Sequence, residues 1–142
     1  MNERTAESSL RPAVLVLALI LLTVGVLGFF FLPEDNQAGE NTLWIFSATG
    51  MLDIIRTGTG VLGLTAMLKP SAIRAYGWIV FVGFAGLTAF GVLSAATTTA
   101  GDAVNFGWAD NVLHGLASIG ALGIALVSTR SAKPAEQAER RA

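Results

Sequence analysis

Two opposite charges, Asp53 and Arg56, lie near the middle of about 27 otherwise uncharged residues, 42–68. Ionisable side chains at such depth in a bilayer are costly, so they pair, face protein or water, and often mark a proton, ion or anion site. Because helical side chains lean toward the N-terminus, Arg56 leans back over Asp53 and we predict an intrahelical ion pair. The other interpretation is that the pair only fixes helix packing, since buried pairs are also used for specificity.

Two threonines, Thr49 and Thr57, share a helical face with this pair, because residues three or four apart lie on one side of a helix. This polar stripe is expected to face the bundle or a partner. Trp44 is expected on the opposite side, toward lipid.

A second polar motif lies at the predicted outer boundary: Asp110, Asn111 and His114 open the last apolar run, and Asn41 precedes the second run on the same side. Asp110 or Asn111 can cap the helix N-terminus, and Asp110 can also hold the imidazole of His114. We interpret this motif as a separate stripe, so the Asp53–Arg56 pair needs no histidine partner. His114 is the only histidine and there is no cysteine, so we predict no metal site and no cofactor. As a haem or pigment ligand, His114 would need a partner from another chain.

The segment that begins at Asn41 resembles the segment that begins at Asn111, at an offset of 70 residues. Gly50 and Gly120 keep the same register. The similarity predicts two helical hairpins in the same orientation, related by a pseudo-two-fold axis along the membrane normal. The alternative is chance, because small and apolar residues dominate any membrane helix.

Four apolar runs of about 20 residues or more must position these motifs, and each is long enough to span about 30 Å of hydrocarbon. Backbone polar groups in lipid must bond within their own segment, so the runs are predicted to be helices. The fold class is therefore an all-α membrane protein, a four-transmembrane-helix bundle. The four helices are expected at about 12–32, 42–68, 73–93 and 109–128.

Basic residues are confined almost entirely to the two tails and the second connection, whereas the other two connections carry acidic residues and no Lys or Arg. By the positive-inside rule, both termini are predicted to be cytoplasmic. Residues 1–11 and 130–142 are expected to be disordered cytoplasmic tails on either side of a transmembrane domain, 12–129. The eight basic residues of the two tails and the second connection are Arg4, Arg11, Lys69, Arg74, Arg130, Lys133, Arg140 and Arg141.

Composition supports the membrane assignment and argues against a nucleic-acid partner. Hydrophobic residues make up 53% of the 142-residue chain and charged residues 13%, against about 25% charged residues in a soluble domain. The net charge is −1, so no basic surface for nucleic acid is predicted. The expected partner is the lipid bilayer, and the expected location is the plasma membrane, crossed several times.

Several segments resemble a bacterial family of small membrane proteins, the domain-of-unknown-function family 4383. The resemblance covers most of 14–127, and it implies a four-helix integral membrane protein without an established activity. This chain departs from the family pattern at Trp44, where relatives tend to carry a second histidine, and Asp53 and Arg56 are not part of that pattern. The resembling segments are 24–29, 41–50, 74–76 and, most specifically, Ala109-Asp110-Asn111-Val112-Leu113-His114.

No complete catalytic constellation occurs in the sequence, so we predict a non-enzymatic membrane protein. The leading hypothesis is an accessory or structural protein, either a homo-oligomer or a subunit of a larger membrane complex. The competing hypothesis is a small channel or transporter for protons or ions that uses Asp53 and Arg56. A third is a pigment- or haem-binding subunit that contributes His114.

Overall fold

The computed structural model describes residues 3–31, 42–97 and 107–139 and contains four helices and one small β-hairpin. Asn41, a member of the predicted outer motif, lies outside the described residues. A 3-10 turn, Phe29–Phe31, follows the first helix. The elements are α1 (Glu3–Gly28), β1 (Thr42–Leu43), β2 (Phe46–Ser47), α2 (Gly50–Ala66), α3 (Pro70–Thr97) and α4 (Trp108–Glu139).

Three of the four helices, α1, α3 and α4, contain stretches long and apolar enough to cross a membrane. This confirms three of the four predicted spans at the level of length and composition. The stretches are Ser9–Gly28, Pro70–Thr97 and Trp108–Ser128.

The prediction that the second helix covers 42–68 is wrong at its start. Its first residues form the antiparallel pair β1–β2, and α2 has 17 residues. Thr49 is the N-cap, with extended backbone and a hydroxyl that accepts a hydrogen bond from the Leu52 amide. A threonine in this role satisfies one of the free amides at a helix start, which explains why α2 begins at Gly50.

The turn between β1 and β2 has Trp44 and Ile45 at its two central positions, and Trp44 has a φ of 57°. A positive φ at the first central position only is the pattern of a type II′ turn, which ordinarily has glycine there. The tryptophan therefore gives no sequence signal for the hairpin. Its side chain is 81% exposed.

Two helices are longer than predicted at the chain ends: α1 begins at Glu3 and α4 continues to Glu139. Both additions fall in the segments expected to be disordered tails. Glu, Arg and Ala, which recur in these segments, have high helix propensity, so a helix can continue there without an apolar sequence.

The bundle consists of two helical hairpins: α1 packs mainly against α2, and α3 mainly against α4. Contacts between α1 and α4 join the hairpins, whereas α2 and α3 make much less contact with each other. One end of the bundle, here called the hairpin end, holds β1–β2 and the start of α4. The other, the loop end, holds the connection between α2 and α3. The central core residues include Val14, Leu21, Ile73, Tyr76, Val80, Phe84, Ala117, Ala121 and Ile124.

Helix α2 buries its charges and exposes its apolar side chains, the reverse of a helix on a water-soluble protein. Asp53 and Arg56 are fully buried, while Ile54 is 63% and Leu62 56% exposed. Such an arrangement is stable only when the surroundings are apolar, which agrees with the membrane assignment.

The proposed internal repeat is not matched in secondary structure at its start. Residues 42–47 form the two strands and their turn, whereas the matching residues 112–117 are helical in α4. From Gly50 and Gly120 onward both segments are helical.

A buried ion-pair cluster at the hairpin end

Arg56 lies at the centre of a polar cluster, named here the Arg56 cluster, and its side chain is fully buried. Its Nη1 donates to the backbone carbonyl of Ser47 at 2.8 Å. Its Nη2 forms a short ion pair with Asp110 Oδ1, and its Nε donates to His114 Nε2 at 3.4 Å. The planar guanidinium thus uses donors on all three of its nitrogens, as arginine does at buried sites. The members of the Arg56 cluster are Ser47, Asp53, Arg56, Asp110 and His114.

Asp110 links α4 to the β-hairpin. Its carboxylate accepts the Ser47 amide at 3.1 and 3.2 Å and the Ser47 hydroxyl at 2.7 Å. It also accepts the amide of Gly107, the residue before α4, at 3.0 Å. An acidic side chain in the first turn that reaches back in this way caps the helix and interacts favourably with its dipole. Asp110 therefore does cap α4, and it holds Arg56 as well.

Asp53 forms the predicted intrahelical pair, but it is the weaker partner of Arg56. Its Oδ1 lies 3.5 Å from Arg56 Nη1, and neither carboxylate oxygen accepts a hydrogen bond among the described residues. The carboxyl group packs directly against Gly28 at the end of α1, where a Cβ atom would overlap it. A glycine here allows the carboxylate to approach the α1 backbone closely.

His114 is fully buried between α2 and α3. Its ring contacts Phe84 of α3 edge-on, with centroids 5.2 Å apart and planes at 80°. The hydrogen bond from Arg56 corrects the interpretation that His114 belongs to a separate stripe. The two polar motifs, 58 residues apart in sequence, form a single cluster.

The remaining predicted site residues lie at its edge. Thr49 caps α2, and Thr57 packs against Gly25 of α1, where a Cβ atom would lie 2.5 Å from the Thr57 hydroxyl. Asn111 is only 4% exposed, and its amide finds no hydrogen-bond partner among residues 3–31, 42–97 and 107–139. Thr49 and Asn111 are thus buried and Thr57 half-buried near the cluster, and none of them bonds to Arg56.

The electrostatics of the Arg56 cluster are those of one guanidinium facing two carboxylates in a water-poor environment. Such a network is strongly stabilising relative to any state that leaves one of its charges unpaired. In the part of the chain that the structure describes, no group of three or more His, Cys, Asp or Glu side chains is arranged to hold a metal ion. The predicted lack of a metal site and of a cofactor stays a prediction.

Sequence reasoning missed Ser47, which contributes its amide, hydroxyl and carbonyl to the cluster. The structure also shows that Gly25 and Gly28 of α1 face Thr57 and Asp53. The available signal was the spacing: two glycines three residues apart in α1 present one open face at the depth of the polar stripe of α2.

Comparison with known proteins gives a family and no activity. The profile of the family described as Domain of unknown function (DUF4383) matches residues 11–127. No curated protein and no solved structure matches the chain. The match includes all five residues of the Arg56 cluster, and it confirms the resemblance drawn from the sequence. The chain therefore belongs to the DUF4383 family.

Proposed function

We propose that the chain is a non-enzymatic integral membrane protein that serves as a structural or accessory subunit of a membrane assembly. The observation that carries this proposal is the closure of the Arg56 cluster. Asp53, Arg56, Asp110 and His114 are each fully buried, and the contacts of Arg56 are met within the same chain. A catalytic site or a transport pathway needs an opening to its reacting or conducting groups, whereas a packing device does not.

All four helices cross the membrane in this proposal, including α2. Its 17 residues cover about 25 Å, somewhat less than the hydrocarbon thickness. The hairpin supplies the remaining depth. Non-helical backbone is tolerated there because β1 pairs with β2 and the Ser47 amide bonds to Asp110.

Both termini are placed in the cytoplasm and the hairpin end outside. Trp44 and Trp108, 81% and 61% exposed, lie at the hairpin end, where indole rings anchor helices at a membrane interface. Lys69 lies at the loop end, together with Arg74. This charge asymmetry follows the positive-inside rule, and the plasma membrane is the proposed location.

A contact surface for another subunit is proposed on the outer face of α4. Gly120 and Gly123 are exposed, and a Cβ atom at either position would meet nothing within 4 Å. Glycines in a membrane helix allow a neighbouring helix to approach closely, yet within this bundle no helix does so at these two positions. A second copy or a different membrane protein would fill that space.

The test is affinity purification from native membranes with cross-linking and mass spectrometry. We expect a stable homo-oligomer or a reproducible partner that is lost when Gly120 and Gly123 are both replaced by leucine. Gly58→Leu is the matched control, because Gly58 is also exposed with an open Cβ position. A monomer in gentle detergent with no cross-linked neighbours in the membrane would contradict the proposal.

Proton or ion conduction is the second candidate, favoured by the two carboxylates that face one guanidinium and by the lack of hydrogen bonds to Asp53. Flux into liposomes that is lost in Asp53→Asn would replace the accessory role with this one. Flux equal to that of empty vesicles supports the accessory role. A pigment or haem on His114 has less support, because its Nε2 accepts from Arg56 and the ring is enclosed.

A further inference from the structure

A groove of about 490 Å³ opens between α2 and α3, which are adjacent in sequence but make much less contact with each other than α1 makes with α2 or α3 with α4. On α3 its wall extends from Ala72 to Leu87, a distance of about 22 Å along the helix. This length exceeds the depth of one leaflet, which is about half of the 30 Å hydrocarbon thickness. Its lining is almost entirely apolar and includes Ile55, Thr59, Leu62, Ile79, Gly83 and Leu87.

The ring of Tyr76 forms part of the floor of the groove. Tyr76 is 4% exposed, and its hydroxyl has no hydrogen-bond partner among the described residues. The hydroxyl reaches from α3 to Gly63 of α2, where a Cβ atom would lie 2.7 Å from it. The hydroxyl oxygen is itself buried against Gly63, so the floor that the groove presents to an occupant is apolar.

The closed end of the groove is basic. The groove ends between Ala66 and Ala72, and the connection there carries Lys69, which is exposed. Arg74 follows in the first turns of α3 and is half-buried. In the topology proposed above, this end lies at the cytoplasmic leaflet, whose anionic lipids attract basic residues near the surface.

We propose that the groove between α2 and α3 binds one anionic phospholipid. Its acyl chain lies along the apolar walls and over the ring of Tyr76, and its phosphate lies at Lys69 and Arg74. Apolar walls and a basic end occur in the order in which a phospholipid presents its acyl chain and its phosphate. The leaflet assignment rests on the proposed topology, but the binding chemistry does not.

The test uses purified full-length protein in nanodiscs that contain equal amounts of phosphatidylglycerol and phosphatidylcholine, with retained lipid counted by native mass spectrometry. We expect one tightly retained phosphatidylglycerol per chain. Gly83→Leu should abolish its retention, since a side chain there projects into the groove without meeting any atom within 4 Å. Gly86→Leu is the matched control: Gly86 lies on the same helix, is equally open, and does not line the groove.

Replacing Lys69 and Arg74 together with glutamine should reduce the preference for phosphatidylglycerol by about fivefold for each charge removed. This variant also decides the question if Gly83→Leu fails to fold. An unchanged preference in the double variant, or equal retention in Gly83→Leu and Gly86→Leu, would mean general annular lipid and would overturn the proposal. Because nanodiscs present both leaflets, an error in topology or in the subunit role leaves this result unaffected.

Discussion

The two faces of α2 differ: one carries the polar contacts that hold the bundle together, and the other borders a groove that stays open. On one face, Asp53 and Arg56 enter a polar cluster with no exposed member among its four titratable residues. On the other face, Ile55 and Leu62 border a groove that no other helix fills. Phe84 lies between them, with its ring against His114 on one side and lining the groove on the other.

The difference follows from the lipid environment. Apolar side chains gain little free energy when they move from lipid to protein, so contact between the apolar faces of α2 and α3 is only weakly favoured. Contact between polar groups is strongly favoured, because hydrocarbon provides no hydrogen bonds. The polar contacts of Arg56 therefore define how α2, α4 and the hairpin fit together, and the apolar side is left accessible.

The largest expected effect is the loss of the guanidinium. Arg56→Met leaves Asp53 and Asp110 buried with no cation, and we expect the free energy of unfolding to fall by about 3 kcal/mol. Leu62→Ala, on the groove face of the same helix, should change it by less than about 0.5 kcal/mol. Unfolding in mixed micelles with increasing SDS, followed by circular dichroism, measures both.

Removing the unpaired charge of Asp110 should restore part of that stability. Arg56→Met combined with Asp110→Asn should therefore be more stable than the sum of the two single changes predicts. If Leu62→Ala costs as much as Arg56→Met, then the two faces contribute equally and the contrast between them fails.

The general architecture could be predicted from the sequence because it depends on hydropathy averaged over long stretches of the chain. Apolar run length predicted three spans that the structure confirms at that level, and the spacing of Asp53 and Arg56 predicted their shared face. The hairpin was missed because Trp44 adopts a positive φ that its side chain does not favour. The link from Arg56 to Asp110 was missed because helical periodicity relates residues within one element, and this contact joins residues 54 apart.

Two adjacent residues of α4 allow a sharper test of the polar region alone. Asp110 and Asn111 are both buried, but Asp110 accepts from Ser47, Gly107 and Arg56 whereas the Asn111 amide bonds to none of the described residues. Asp110→Asn should therefore lower the free energy of unfolding by about 2 kcal/mol, while Asn111→Leu should leave it unchanged or raise it by about 1 kcal/mol.

Amide hydrogen exchange distinguishes this explanation from a general loss of packing. In Asp110→Asn, the amides of Ser47 and Gly107 should exchange faster, because the carboxylate accepts both. Amides in the middle of α3 should keep their protection in the same protein. A destabilised Asn111→Leu protein would show that burial alone, and not hydrogen bonding, determines the stability of this region.

The glycines where α1 meets α2 allow a comparison between a neighbouring side chain that can move and a neighbouring backbone that cannot. A Cβ at Gly28 would overlap the carboxyl group of Asp53, a side chain end that can move. A Cβ at Gly60 would lie 2.8 Å from both the Ala18 carbonyl and the Leu22 amide, which belong to the α1 backbone. Gly60→Ala must therefore separate the helices and should cost about 2 kcal/mol, and Gly28→Ala about 1 kcal/mol.

Gly58→Ala, with nothing within 4 Å, should gain roughly 0.5 kcal/mol from helix propensity. The SDS titration ranks all three proteins. The reverse order for Gly28 and Gly60 would show that the Asp53 carboxylate is held as rigidly as the helix backbone, so that the polar cluster extends to α1.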